Sequence, residues 1–332
     1  MAQGIPILKD APYNVLTVPN YVRSLVVTTK PAQVIAAYTA PPGVEAWTVY
    51  RPSAEGVPVH PYDGWRVVTP LSKDAETTVA ATLTEHIVND TEYVVRVFIR
   101  GRLGFQTRVG GAVATATPRA GLQLSNIPEG GFISLNENGT PVLFYVAKHG
   151  YEPDLNGPGR SLVVRKDCHS KRQWDATANT TEYSNCDLDI WFNADYKALL
   201  DGKVQAVLSS TMFYYSSGST STTVTTLGRA IFALSVTELG FAMKWANIEG
   251  SALPIASTLK VAYLNGVATE QWTRTPYITT GSARYVFKAN TDGTATAGGC
   301  TYSTGIRPAF TLPSDMLFSL TPNPDGSYSP IL

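Results

Sequence analysis

The chain has 332 residues, 44% of them hydrophobic and only 16% charged, enough for two domains with real cores and well short of the ~25% charge usual in soluble proteins. Lys plus Arg balance Asp plus Glu at 26 each, so no long-range positive field gathers nucleic acid or an anionic membrane. A charge-poor composition with 17 Tyr suits an extracellular β-rich binding protein, because Tyr and Ser make adaptable contacts at low entropic cost; it suits a kinase or dehydrogenase poorly.

Residues 1–23 are irregular and punctuated by Pro6, Pro12 and Pro19. They read as an N-terminal docking arm that buries no core of its own. The start lacks the basic and apolar regions of a secretory signal, and no window nears the ~18 apolar residues of a membrane helix. The expectation is synthesis in a bacterial host cytoplasm, with no membrane insertion.

Residues 24–118 carry short strand-like runs at regular spacing: Ser24–Thr29, Val34–Tyr38, Ala46–Tyr50, Trp65–Val68, Thr77–Ala81, Glu92–Ile99 and Ala112–Ala116. Turn residues separate them, such as Pro41-Pro42-Gly43, Tyr62-Asp63-Gly64 and Asn89-Asp90. Apolar and polar residues alternate in several runs, as half-buried strands require, and the whole predicts a β-sandwich. Thr91-Glu92-Tyr93-Val94-Val95-Arg96-Val97-Phe98 followed by Gly104 resembles the F strand and next turn of a fibronectin type III domain. Val57-Pro58-Val59-His60-Pro61-Tyr62-Asp63-Gly64 resembles a Pro-rich turn in the fibronectin-like modules of phage tail proteins. The resemblance implies that Tyr93 is the sandwich's corner tyrosine. Trp47 is expected to fill the core between the sheets.

Residues 119–121 read as a linker, 122–322 as a second domain and 323–332 as a C-terminal tail. Strand signals at Phe132–Leu135, Val142–Lys148 and Ser161–Lys166 open the second domain. Leu188, Trp191, Tyr196 and Leu199 recur near the helical period, predicting a helix from Asp187 to Leu200 capped by Asn185 or Asp187. Phe232–Leu234 reads as a short strand. Ser235-Val236-Thr237-Glu238 has capping-box spacing, predicting a second short helix.

Toward the C-terminus come Trp272-Thr273-Arg274-Thr275-Pro276, Tyr285-Val286-Phe287, an Asp292-Gly293 turn and Gly305-Ile306-Arg307-Pro308-Ala309-Phe310. Their order resembles an uncharacterised domain family of phage and bacterial proteins that shares W-x-R-[ST]-P followed by G-[VI]-R-P-A. Ser161–Lys166, Trp191-Phe192-Asn193 and Phe232–Ser235 with Glu238 fit the same pattern. That family is similar to the C-type-lectin-like fold of phage receptor-binding proteins. The implied fold class is mainly β with a few short helices: an N-terminal fibronectin III/Ig-like sandwich and a C-terminal α+β lectin-like domain.

The resemblance makes Trp191, Trp272, Arg274 and Arg307 the structural core of that domain. A buried guanidinium needs several acceptors, so Arg274 and Arg307 are expected to hold loop carbonyls; the alternative is that they bind an anionic ligand. The Tyr-bearing polar stretch Phe213–Thr223 resembles a paratope loop, the alternative being a solvated hairpin tip. Tyr214, Tyr215, Tyr277, Arg284, Asn290 and Tyr302, with Ser282, are the candidate ligand residues. Those beyond the loop are chosen by the location of diversified positions in lectin-like variable proteins.

No catalytic or metal constellation emerges. His60, His86, His149 and His169 share no metal-ligand spacing, and no nucleophile elbow, P-loop or Gly-rich dinucleotide turn is present. Asp187 and Asp189 suit a helix start better than a glycosidase pair. No cofactor is expected, and a loop-scattered calcium site stays open as an alternative. The odd set Cys168, Cys186 and Cys300 reads as buried thiols, with a Cys168–Cys186 pair as the alternative. Formylglycine-generating enzymes share the lectin-like fold but need a late cysteine pair. Cys300 stands alone there, so the reading is not an enzyme. The expected function is a phage virion protein at the tail tip, baseplate or fibre. It would contact other virion proteins and a host-surface glycan or protein, as a homotrimer or other homo-oligomer. A purely structural decoration protein and a bacterial surface adhesin are the alternatives.

Overall fold

A computed structural model describes residues 22–70, 75–101, 104–106, 112–178, 180–278 and 284–331. The chain divides into two compact units, Met1–Ala120 and Gly121–Leu332. Both are mainly β, with a few short helices in the second. The expected docking arm lies outside the described residues except for Val22, which is buried in a core, and Arg23, which opens the first strand.

The first unit contains β1 (Arg23–Lys30), β2 (Gln33–Ala40), β3 (Glu45–Pro52), β4 (Trp65–Thr69), β5 (Thr77–Leu83), β6 (Tyr93–Gly101), β7 (Gly104–Gln106) and β8 (Val113–Ala116). One sheet has the order β1-β2-β5; the other has the order β4-β3-β6, with β7 and β8 both paired to β6. Alternation in β2 turns Val34, Ala36, Tyr38 and Ala40 inward, where they meet Val79, Ala81 and Leu83 of β5 and Tyr50, Tyr93, Val95 and Val97 of the facing sheet. The Tyr38 hydroxyl lies 2.9 Å from the buried Thr48 Oγ1 across this core.

Trp47 corrects an expectation. Ala46, Thr48 and Tyr50 face the shared core, so the period-2 pleat turns Trp47 to the opposite face. There it joins Val49 and Phe98 in a small separate cluster. Tyr62 packs edge-on to it at 5.6 Å and the Arg66 guanidinium covers it at 5.3 Å. Arg51 holds the covering turn through Asp63 at 2.5 Å and the Gly56 and Val57 carbonyls. Gly64 sits at φ +141°, where an added Cβ would stand 2.6 Å from the Tyr50 carbonyl oxygen. At the other end of β6 the Tyr93 hydroxyl donates to His86 O at 2.8 Å and accepts from Val88 N at 2.9 Å. One side chain thereby fixes the turn before its own strand.

The second unit begins with β9 (Leu122–Gln123), β10 (Phe132–Glu137), β11 (Thr140–His149), β12 (Arg160–Arg165) and β13 (Ser170–Arg172). A helical stretch and a six-residue helix, Gly202–Val207, intervene. Then come β14 (Thr211–Ser216), β15 (Val224–Arg229), β16 (Ile231–Phe232), β17 (Ala262–Leu264), β18 (Val267–Thr269), β19 (Gln271–Pro276) and β20 (Tyr285–Ala289). β21 (Ala295–Gly299), β22 (Thr304–Ile306), β23 (Ala309–Pro313), β24 (Leu317–Phe318) and β25 (Ser327–Tyr328) complete it. The larger sheet has the order β16-β23-β12-β11-β10-β25 and the smaller β13-β22-β19-β20-β21. Residues 323–331 are therefore no tail: β25 pairs in parallel with β10, Phe132 opposite Ser327, and Ser327 is fully buried.

Helical residues run from Asp187 to Leu199, with a π turn over Phe192–Tyr196 between two α segments. The N-cap is neither Asn185 nor Asp187. It is Cys186, whose Sγ accepts from Asp189 N at 3.4 Å. Asp187 instead accepts from Ala176 N at 2.9 Å. Ser235 and Glu238 form both capping-box bonds, at 2.8 and 3.0 Å. Yet Val236–Gly240 is a turn, and Glu238 is buried against Arg274 and Tyr151. Cys168, Cys186 and Cys300 are buried and unpaired.

Candidate binding site

Arg274, on β19, is fully buried. Its Nη1 donates to Glu238 Oε2 at 2.6 Å and to Ala233 O at 2.9 Å, and its Nε donates to Tyr214 O at 3.0 Å. The guanidinium lies 4.7 Å from the Phe213 ring centroid. Glu238 also accepts from Tyr151 Oη at 2.5 Å. Glu249, its Oε2 3.8 Å from Arg274 Nε, accepts from Ser216 N and Thr275 Oγ1. Burial alone would lower the Arg274 pKa, but Glu238, Tyr151 and Glu249 outweigh it and hold the cation firmly. Burial pushes the Glu249 carboxyl above its usual range despite Arg274.

Arg307 forms a second hub with a different partner set. Its Nε donates to Arg165 O at 2.7 Å, Nη2 to Lys166 O at 2.7 Å and Nη1 to Leu259 O at 2.9 Å. Burial lowers its pKa, yet an arginine stays charged, and the carbonyl dipoles solvate it in place of water. Arg165 beside it is bidentate to Glu137 at 2.9 and 3.1 Å, and Tyr196 donates to the same carboxylate. Each hub joins segments far apart in sequence, so the long irregular stretches are fixed from inside.

A surface groove of about 510 Å³ opens on this frame. β13 and the loop after it supply Lys171, Arg172, Gln173 and Ala176; the start of the helical stretch supplies Asp187, Leu188 and Trp191; the loop before β22 supplies Ser303. The Arg172 guanidinium stacks 4.0 Å from the Trp191 ring centroid, and the Arg172 carbonyl accepts from Trp272 Nε1 at 3.0 Å. His169 and Tyr196 pack on Trp191 at 5.3 and 5.7 Å. Gln173 is tied to Thr301 O at 2.8 Å. The groove thus offers two cations, one carboxylate, an amide and a hydroxyl on an apolar base. That inventory presents both hydrogen-bond donors and acceptors at the surface. Burial pushes the Cys168 thiol up to about 11 and Cys186 higher still, the opposite of an activated thiolate. Among the described residues no group of three or more His, Cys, Asp or Glu is placed to hold a metal.

The expected ligand residues scatter. Arg284 and Tyr302 are exposed and share one end of the β20–β21 pair, where Cys300 N donates to Arg284 O. Cys300 O accepts from Trp174 N, so that end adjoins the loop lining the groove. Asn290 sits at the opposite end of the pair, bonded within its own turn to Thr294 and Thr296. Tyr277 packs on Phe287 at 5.5 Å and faces Trp245 at 6.4 Å. The supposed Phe213–Thr223 loop is a strand through Ser216, and Tyr215 is buried in it with its hydroxyl toward Glu182. Tyr214 is half-buried and lends its carbonyl to Arg274. Of the expected structural residues, Trp191, Trp272, Arg274 and Arg307 are all buried. The polar residues that build the groove were not singled out from the sequence, except Asp187 as a helix start. Three separate segments bring them together.

Residues 158–314 match a family described as a domain of unknown function, DUF6273. The match spans Arg274, Arg307 and every groove residue. No curated protein and no solved structure matches the chain.

Proposed function

We propose that the chain is a non-enzymatic phage virion protein whose second unit binds a host-surface receptor. The groove carries this reading: an open, polar, cation-bearing concavity whose segments are tied by Trp272 Nε1 to Arg172 O, Trp174 Nε1 to Thr273 O and Ala176 N to Asp187, which is the preorganisation that recognition needs. A fibronectin type III assignment for the first unit is supported by its β1-β2-β5 sheet facing β4-β3-β6 with β7 and β8, and by the corner role of Tyr93. A C-type-lectin-like assignment for the second unit is supported by the pairing of its early and late strands, β9 with β24 and β10 with β25. That closure leaves a long inner excursion free to form binding loops. On this reading the first unit and the residues before it attach to other virion proteins, and the assembly is a homo-oligomer, a trimer by preference.

The test is binding of labelled full-length chain to a panel of intact bacterial cells, beside a Ser303→Trp variant that fills the groove. Saturable binding, lost in the variant, is the expected result. Full-length chain that assembles onto particles and binds none of the cells would overturn the receptor reading in favour of a structural role.

A further inference from the structure

We infer that the groove is a subsite for an acidic sugar, a carboxylate-bearing unit of a surface glycan. The inference rests on the receptor-binding reading and narrows it to a chemical class.

Arg172 is the first observation. Its guanidinium is set on the Trp191 ring at 4.0 Å, and Trp191 is itself backed by His169 and Tyr196. No acceptor among the described residues bonds its nitrogens. A planar fork of donors is therefore anchored over the Trp191 ring with its nitrogens left to a ligand, and such a fork takes a carboxylate bidentately. Lys171 adds a second cation to the same groove.

Asp187 is the second observation, since it selects among anions. Its carboxylate shares the groove and repels a dianionic phosphate more than a monoanionic carboxylate. It also accepts hydrogen bonds from hydroxyls, and Ser303 and Gln173 exchange hydrogen bonds with ring substituents. Ala176, exposed in the groove, meets the C–H face of a pyranose. A volume of about 510 Å³ falls within the roughly 300–1,000 Å³ of small-ligand sites. One monoanionic, hydroxyl-rich ring with an apolar face satisfies all of these together.

The test is calorimetric titration of the full chain with trisaccharides ending in galacturonate, glucuronate or a nonulosonate, each beside its carboxyl-reduced neutral form, with sodium acetate and inorganic phosphate as controls. At least one acidic trisaccharide is expected to bind about tenfold or more tightly than its neutral form, the discrimination of one charged hydrogen-bond pair. Arg172→Gln is expected to remove that preference, and Ser303→Trp all binding. Both positions are exposed, and an unchanged circular dichroism melt checks the fold. Equal binding of acidic and neutral forms, tighter binding of phosphate, or no binding of any trisaccharide would overturn the inference. Chain that binds cells yet ignores every saccharide sinks the sugar subsite and leaves receptor binding standing. Chain that binds an acidic trisaccharide but no cells does the reverse.

Discussion

The two units solve one problem in opposite ways. In the first, the described strands pair into two ladders, and the shared core is aliphatic with a few Tyr hydroxyls. In the second, long segments have no ladder, and their carbonyls are met by side-chain donors: Arg274 to Tyr214 and Ala233, Arg307 to Arg165, Lys166 and Leu259, Trp174 to Thr273. Buried backbone acceptors must be satisfied somewhere. A unit rich in loops imports charge into its core to do it, and then imports Glu238 and Glu249 to neutralise the charge.

If that contrast is right, Arg274→Met has the largest effect. It strands Glu238 and Glu249 in an apolar core, and breaking a buried ion pair from one side costs about 3–5 kcal/mol. Differential scanning calorimetry is expected to show the second unit's transition lowered or lost, with the first unit's unmoved. Next comes Arg307→Lys. An ammonium cannot reproduce the fork to three carbonyls, and losing charged hydrogen bonds costs about 3 kcal/mol, again confined to the second unit in urea melts. Tyr93→Phe reverses the polarity of the comparison. It removes the His86 and Val88 bonds for about 1 kcal/mol, and only the first unit should soften; a fall in the second unit would break the contrast.

The smallest effect is a slope. Burial raises the Glu249 pKa above the ordinary carboxylate value, so the folded state holds this proton more tightly than the unfolded chain. Its contribution to stability is fully present below the unfolded value and declines as pH rises to the raised folded value. Glu249→Gln removes that decline. Its stability relative to the wild type is expected to climb across this window, read by urea melts at stepped pH.

The sequence was most legible where neighbours decide structure. Alternation located strands such as β2 and β5, where buried and more exposed residues take turns. It misplaced Trp47 because Ala46–Tyr50 is apolar on both faces; Thr48, whose hydroxyl meets Tyr38, was the residue that marked the inside. The arginines of the second unit stood out in a charge-poor chain. Their acids did not, because Glu238 lies 36 residues before Arg274 and looked like an ordinary capping-box member. The groove was illegible for the same reason. Arg172 is one exposed cation in a short run until the fold sets Trp191 beneath it.

Closure of the second unit has a mechanical consequence. Its opening and final strands lie side by side, β9 against β24 and β10 against β25, with Ile331 N bonded to Leu317 O. Tension applied between the unit's two ends is taken up across these short pairings, which lie outside the stretch that carries the groove. The load path bypasses the groove's three segments, so a pulled molecule keeps the groove's shape until the terminal strands themselves part.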